Sequence, residues 1–318
     1  MTRLTKIIAY IVAELLVIVI VVANTSNAHA ETTLSFNWGS WGKGIKGSGT
    51  IVEVPRAVSA FDSVSVQDGI RVVFRHSAAQ KLTIKADDNI VPLVEARVEG
   101  STLKLKMRPR SSFRITQPVI VNVDYTQINT LSLGDGAQGD FDVVKTASFT
   151  VVVNDGAKLR INQAAVNAFD LFVKDGSNAS VGSVSNAATQ RYRVSDGATL
   201  TVDNASGERV SIVVQDGARM TLRGLNAQAL DLSVSDGARA AIQGTAQQQT
   251  YALTDAANVD AQQLQGATAQ VRASDGSALK LGLVQTLNVD VQDGSSVRYS
   301  GDPAITKRVG DGASMKRI

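Results

Sequence analysis

Val210–Arg239 reads VSIVVQDGARMTLRGLNAQALDLSVSDGAR, and one phrase occurs in it twice. Apolar residues alternate with polar ones, an Asp-Gly-Ala follows, and the alternation resumes. With each Asp as position zero, Ile212/Val214 and Leu232/Val234 fill positions minus four and minus two, and Met220/Leu222 fill plus four and plus six. Alternation of period two, rich in β-branched residues, is the signature of a strand and not of a helix. The same Asp recurs at Asp135, Asp155, Asp175, Asp196, Asp216, Asp236, Asp255, Asp275, Asp293 and Asp311, at steps of 18 to 21 residues. A near-constant period of this size predicts a solenoid, in which no repeat can bury its apolar face alone.

Several repeats hold a third apolar position at plus nine, as at Val144, Val184, Leu225, Leu264 and Val284. Three short strands per turn fit this pattern, so the chain is predicted to be all-β, a parallel β-helix of about ten rungs. Rungs stacked ~4.8 Å apart make a rod roughly 45–50 Å long. Asp-Gly marks a corner, because Gly reaches positive φ freely and an Asp carboxylate can accept hydrogen bonds from nearby backbone N–H groups. The Asp shares sequence parity with the inward apolar residues. Either the corner resets the alternation or the carboxylates point into the turn.

Outside the periodic region (129–318), residues 1–30 read as a secretion signal. Arg3 and Lys6 precede an apolar run from Ile7 to Ala23, and Ala28-His29-Ala30 offers a cleavage site. Glu14 interrupts the run, so an uncleaved membrane anchor is the alternative. The expected location is outside the cytoplasm: periplasm, outer-membrane surface or medium. Without residues 1–30 the chain keeps 30 Lys/Arg against 28 Asp/Glu, no polycation, which argues against nucleic acid as a partner. There is no Cys, so neither a disulfide nor a lipid-bearing thiol is available. Residues 31–48 form a Gly/Ser-rich tether with Phe36, Trp38 and Trp41. Its aromatics either fold back onto the body or dock on a membrane or partner.

From 49 to 128 the period is absent although strand patterns continue. Here "GSGTIVEVPRAVSAFDSVSVQDGIRVVF" and "LTIKADDNIVPLVEARVEGSTLKLKM" resemble the opening of the putative auto-transporter adhesin head GIN domain family. The matching features are the Gly-Ser-Gly start, Arg56 ahead of Phe61, the Gly69 turn, Asn89 before Pro92, and the Glu99-Gly100…Leu103 step. The repeats fit the family's later part, with Asp where its corner usually has Ser. The resemblance spans about residues 47–315. It implies a right-handed parallel β-helix in one domain, 49–318, exported to the cell envelope, and no established activity.

Little in the chain is suited to catalysis. The only His beyond residue 30 is His76, in the polar turn RHSAAQK, which excludes His-rich metal sites and leaves no ordinary catalytic triad. The evenly spaced Asp column is what a stacking rule produces, whereas catalysis needs a local pair of carboxylates in unlike environments. Adjacent carboxylates at rung spacing repel by ~0.9 kcal/mol in water and ~3.5 at an effective dielectric of 20, so the column needs compensation. Corner N–H groups are one source; Ca²⁺ held by residues such as Asp196, Asp216 and Asp236 is the other. One corner, Asp255-Ala256, lacks the Gly.

A basic strand face is the remaining feature. Lys104, Lys106, Arg108 and Arg110 alternate with Leu103, Leu105, Met107 and Pro109. Such a face either protects an exposed sheet edge or contacts an anionic glycan or lipid headgroup. At the other end the last repeat is followed only by Lys316, Arg317 and Ile318, so the final rung is either guarded by charge or paired end to end with a second copy. The sequence therefore predicts a non-catalytic, cofactor-free, exported binding or scaffold module. A carbohydrate-active β-helix enzyme is the alternative.

Overall fold

A computed structural model describes residues 45–109 and 113–318. Residues 1–44, which contain the expected signal and most of the tether, and Arg110 of the basic face lie outside the described residues. Gly44–Ile318 form one compact unit.

The repeats coil as three-sided rungs stacked in parallel register. One side consists of the segment just before each corner: Ser63–Val66, Thr130–Leu133, then 150–153, 170–173, 191–194 and onward to Ala304–Val309. The segment after each corner builds the second side, from Arg71–His76 through 138–141 and 158–161 to Ser314–Arg317. The third side joins the two, so that Gln138–Val153 runs through all three as one long strand. The register brings like residues together, for example Leu131, Val151, Leu171, Tyr192, Ile212 and Leu232. All six are at most 2 % exposed, and burial of each aliphatic one contributes about 1.5–3 kcal/mol.

The corner resets the alternation. Asp and Gly both have positive φ, 53° and 69° at Asp155-Gly156 and 54° and 67° at Asp216-Gly217. The residue after Gly donates to the carbonyl of the residue before Asp, as in Ala157 N–H to Asn154 O at 3.1 Å. These are mirror-image type I′ turns, which need left-handed backbone at both central residues and therefore favour Asn, Asp and Gly. The carboxylates consequently stand in water and not inside the turn. The corner donors are satisfied by another route than the carboxylate bonds the sequence suggests: each Gly N–H donates to the Asp backbone carbonyl of the next rung, at 3.0 Å from Gly156 to Asp175. The Asp is thus chosen for its conformation. Its carboxylate takes side-chain donors from the preceding residue, such as Ser195 Oγ at 2.6 Å from Asp196, and at Asp68 a backbone donor, Met107 N–H at 2.9 Å.

The stretch from 49 to 128 hides one more such corner. Asp68-Gly69 has the same left-handed pair, and Gly69 N–H donates to Asp135 O at 2.9 Å. Ser63–Val66 and Arg71–His76 are therefore a rung of the solenoid, 67 residues ahead of the rung on which they stack. The intervening chain forms the N-terminal closure. Thr102–Met107 and Ile120–Tyr125 extend the two sides by one strand each, and Lys81–Asp87, Ile51–Arg56 and Val94–Glu99 cover them in antiparallel pairing. Rings fill the junction between closure and rungs: Phe74 stacks on Phe141 at 4.0 Å, with Tyr125 and Phe149 packed edge-on around them. Residues 45–48, assigned to the tether by sequence, are bound to the body. Ile45–Lys46 pairs with Phe113–Arg114, and Gly49 N–H donates to Asp87 Oδ1 at 2.8 Å.

Candidate functional site

The side formed by the segments before the corners presents a broad outward surface. Its N-terminal half carries Thr102, Ser63, Ser65, Thr130, Ser132 and Thr150, placed on neighbouring strands by the register. These hydroxyls give way to Val152 and Phe172, half-buried outward residues directly opposite one another, and then to Arg193 and Val213. Close to Phe172, Arg191 lies 3.2 Å from Asp170, while Arg193, directly opposite the ring, is exposed. A flat lattice of hydroxyls beside an aromatic ring offers hydrogen bonds and an apolar platform together, which suits the polar edge and apolar face of a sugar. Sequence reading missed this surface because it followed the inward members of each alternation. The outward Ser and Thr were legible once a side had been assigned.

The basic strand borders the same surface, since Lys104 lies opposite Ser65. Its two lysines are matched across the antiparallel pair with Val94–Glu99. Lys104 bonds Glu99, which also takes Arg97 at 2.9 Å, and Lys106 lies 4.0 Å from Glu95. The hydrogen bond from Lys104, with Arg97 nearby, holds the Glu99 carboxyl below its ordinary pKa. Arg108 is exposed beyond the end of the strand. The outermost strand here is Val94–Glu99 and not the lysine-bearing one, so the lysines do not serve as edge protection in the simple sense.

The Asp candidates for Ca²⁺ stand on three successive corners. Asp196 is bonded by Ser195 and Asp216 by Gln215 Nε2 at 2.9 Å, and Asp236 is exposed. Among the described residues no three acidic or His side chains gather closely enough to hold a metal ion. His76 closes the strand Arg71–His76 and packs edge-on against Tyr125 at 5.7 Å. The surface depressions are shallow. One of 430 Å³ is lined by Arg71, Arg75, Asp140, Asp142, Arg160 and Asn162. Its acids are already engaged, Asp140 by Arg71 at 2.8 Å and Asp142 by Asn162 at 3.1 Å.

The buried polar groups are structural. Tyr192 donates to Gln190 Oε1 at 2.7 Å, and Gln190 Nε2 reaches Ser206 O at 3.0 Å. Tyr251 and Gln249 repeat the arrangement three rungs later, with Gln249 Nε2 3.1 Å from Ala246 O. Burial raises both phenols far above the ordinary value, so neither serves as a proton carrier near neutrality. At the N-terminal closure Asp87 accepts from Gly49 N, Thr116 N and Thr116 Oγ1 at 2.6–3.1 Å. The Thr116 hydroxyl is the main cause of its lowered pKa.

Two stretches, residues 60–197 and 184–303, match the family described as "Putative auto-transporter adhesin, head GIN domain". No curated protein matches the chain. Among solved structures, a putative adhesin from Parabacteroides merdae superposes with a TM-score of 0.58 at 14% identity, covering 86% of this chain and 98% of that one. A putative adhesin from Parabacteroides distasonis gives 0.47 at 15% identity over 86% and 99% of the two chains. The first of these likenesses concerns the fold.

Proposed function

Since the chain belongs to the putative auto-transporter adhesin head GIN domain family, we propose that it is an exported, non-catalytic binding module of the cell envelope. The observation that carries this reading is the outward surface from Ser63 to Phe172, flat, rich in hydroxyls and poor in unpaired charge. Multiple weak contacts to a repeating polymer suit a repeating lattice, because a bound chain can slide in register and gain avidity. An envelope glycan is the partner such a surface fits best. Lys104, Lys106 and Arg108 at its border would add attraction for an acidic one, with Glu99 and Glu95 setting the orientation of the two lysines.

An enzymatic reading would have to use the depression around Asp140 and Asp142. Both carboxylates are already engaged, Asp140 by Arg71 and Asp142 by Asn162, and neither is buried, so neither is set apart as the desolvated acid that acid–base catalysis requires. The test is a glycan array probed with the Gly44–Ile318 unit. Binding should fall at least tenfold in Phe172→Ala with Thr150→Ala. The quadruple Gln variant of Lys104, Lys106, Arg108 and Arg110 should lose only the salt-sensitive part of binding to acidic glycans. Retention of full affinity by both variants would reject this surface. Glycan cleavage abolished by Asp140→Asn would favour the enzyme.

A further inference from the structure

We propose that the rung formed by Ala304–Val309 and Ser314–Arg317 docks on an anionic lipid surface. Among the described residues this rung has a neighbour on one side only. Ala304–Val309 pairs with Thr286–Val291, Ser314–Arg317 pairs with Ser296–Ser300, and all six residues of Ala304–Val309 are exposed. The core columns of Leu287 and Val291 surface here as Ile305 and Val309, which together with Ile318 are 38–49 % exposed. Two positions depart from the inward pattern. Lys307 continues the column of Val289, which is 1 % exposed, and Arg317 continues that of Tyr299. From Ser296 to the end there are five basic residues, Arg298, Lys307, Arg308, Lys316 and Arg317, against Asp302 and Asp311. Arg317 engages Asp302 at 3.3 Å.

An end with unpaired strand edges ordinarily invites a second copy. Stacking another rung here would place Lys307 and Arg317 in a dry core column, and in a two-fold contact they would meet their own copies. A buried charge without a partner is among the costliest arrangements in a protein. An anionic bilayer removes the conflict. The long side chains can lay their stems along the apolar rim and hold their charges at the lipid phosphates, while Ile305, Val309 and Ile318 enter the acyl boundary. Each Lys or Arg near such a surface strengthens binding about fivefold. This inference uses the end of the rod and is independent of the glycan reading of its side.

The experiment is co-sedimentation of the Gly44–Ile318 unit with vesicles of phosphatidylcholine alone and of phosphatidylcholine mixed equally with phosphatidylglycerol. Binding is expected only to the mixed vesicles, and it should fall roughly 600-fold when Lys307, Arg308, Lys316 and Arg317 become Gln. The matched change of Lys145, Lys158, Arg219 and Arg239, exposed residues on the sides of the rod, should alter it little. Hydrogen exchange in 304–309 of the unmodified unit should slow on the mixed vesicles and not elsewhere. The proposal is overturned by absence of binding, by equal loss in the two variants, by equal affinity for neutral vesicles, or by unprotected 304–309. A concentration-dependent dimer lost on deleting 305–318 would show instead that a second copy covers this end.

Discussion

Ala256 is the one residue in the column of corner glycines that carries a side chain, and it has the same left-handed backbone, φ 58°. An L-residue in this region is strained by roughly 1–2 kcal/mol, whereas Gly is not. Ala256→Gly relieves the strain and loses little burial, because the methyl group is exposed. Against this, Gly enlarges the unfolded ensemble by about 0.4–1 kcal/mol, so the net gain should be about 0.5–1 kcal/mol. The converse substitution isolates the same quantity. A Cβ built on Gly217 meets nothing within 4 Å, so Gly217→Ala should cost about 0.5–1 kcal/mol from backbone strain alone. Gly266 supplies the contrast: a Cβ there would lie 2.0 Å from Ala246 O, and Ala should cost several times more. Urea titration by far-UV dichroism orders the variants, and hydrogen exchange at Ala257 and Asn258 reports the local effect. Coupling between rungs makes the local readout the more direct one. A lower midpoint for Ala256→Gly, or a cost-free Gly217→Ala, would refute the argument that corner identity is set by left-handed backbone.

Three further outcomes follow from other positions. Asp216→Asn should be nearly neutral and Asp216→Val should cost about 1–2 kcal/mol, while a chelator should leave the melting temperature unchanged; a chelator-induced drop would return the corner carboxylates to Ca²⁺. Tyr192→Phe strands the buried Gln190 Oε1 and should cost about 1–3 kcal/mol, much of it recovered by adding Gln190→Leu; equal losses in the single and double variants would show that packing, not the hydrogen bond, matters. Asp87 has a folded pKa below its unfolded value, so its contribution is present above about pH 4 and disappears as pH falls through the folded pKa. Acid should therefore release Gly49 and Thr116 before the rungs melt, and Asp87→Asn should remove that early step from a pH series of exchange rates.

The periodic part of the fold was legible because three demands repeat in every rung: an inward apolar pair, a left-handed corner and another inward pair. Asp68 obeys all three, with Val64 and Val66 before it and Ile70, Val72 and Phe74 after it. It escaped notice because its partner rung begins 67 residues later, and a search for a fixed period cannot register one long excursion. The Asp carboxylate was misread for a related reason. Sequence shows that Asp recurs but not which of its properties is used, and the corner uses its tolerance of positive φ. The Gln-x-Tyr pairs were hidden by rarity, since a polar residue in an apolar column looks like drift until its hydrogen bonds are seen.

The same demands explain why function was harder to read than fold. Inward and corner positions are fixed by stacking, so they carry the family pattern and say nothing of a partner. Outward positions are free, and any information about binding must reside there or where an inward position breaks its rule. Phe172 is of the first kind: an aromatic ring on the solvent side is not required by the solenoid, and Ser180 or Thr201 on another side serve the rungs equally well. Lys307 and Arg317 are of the second kind. Apolar residues there would have continued the core and left a sticky end; charged ones close it to a copy of itself while keeping it attractive to an acidic surface. The free outward positions and the departures from the stacking rule, and not the rule itself, are therefore where the contacts of this protein are to be sought.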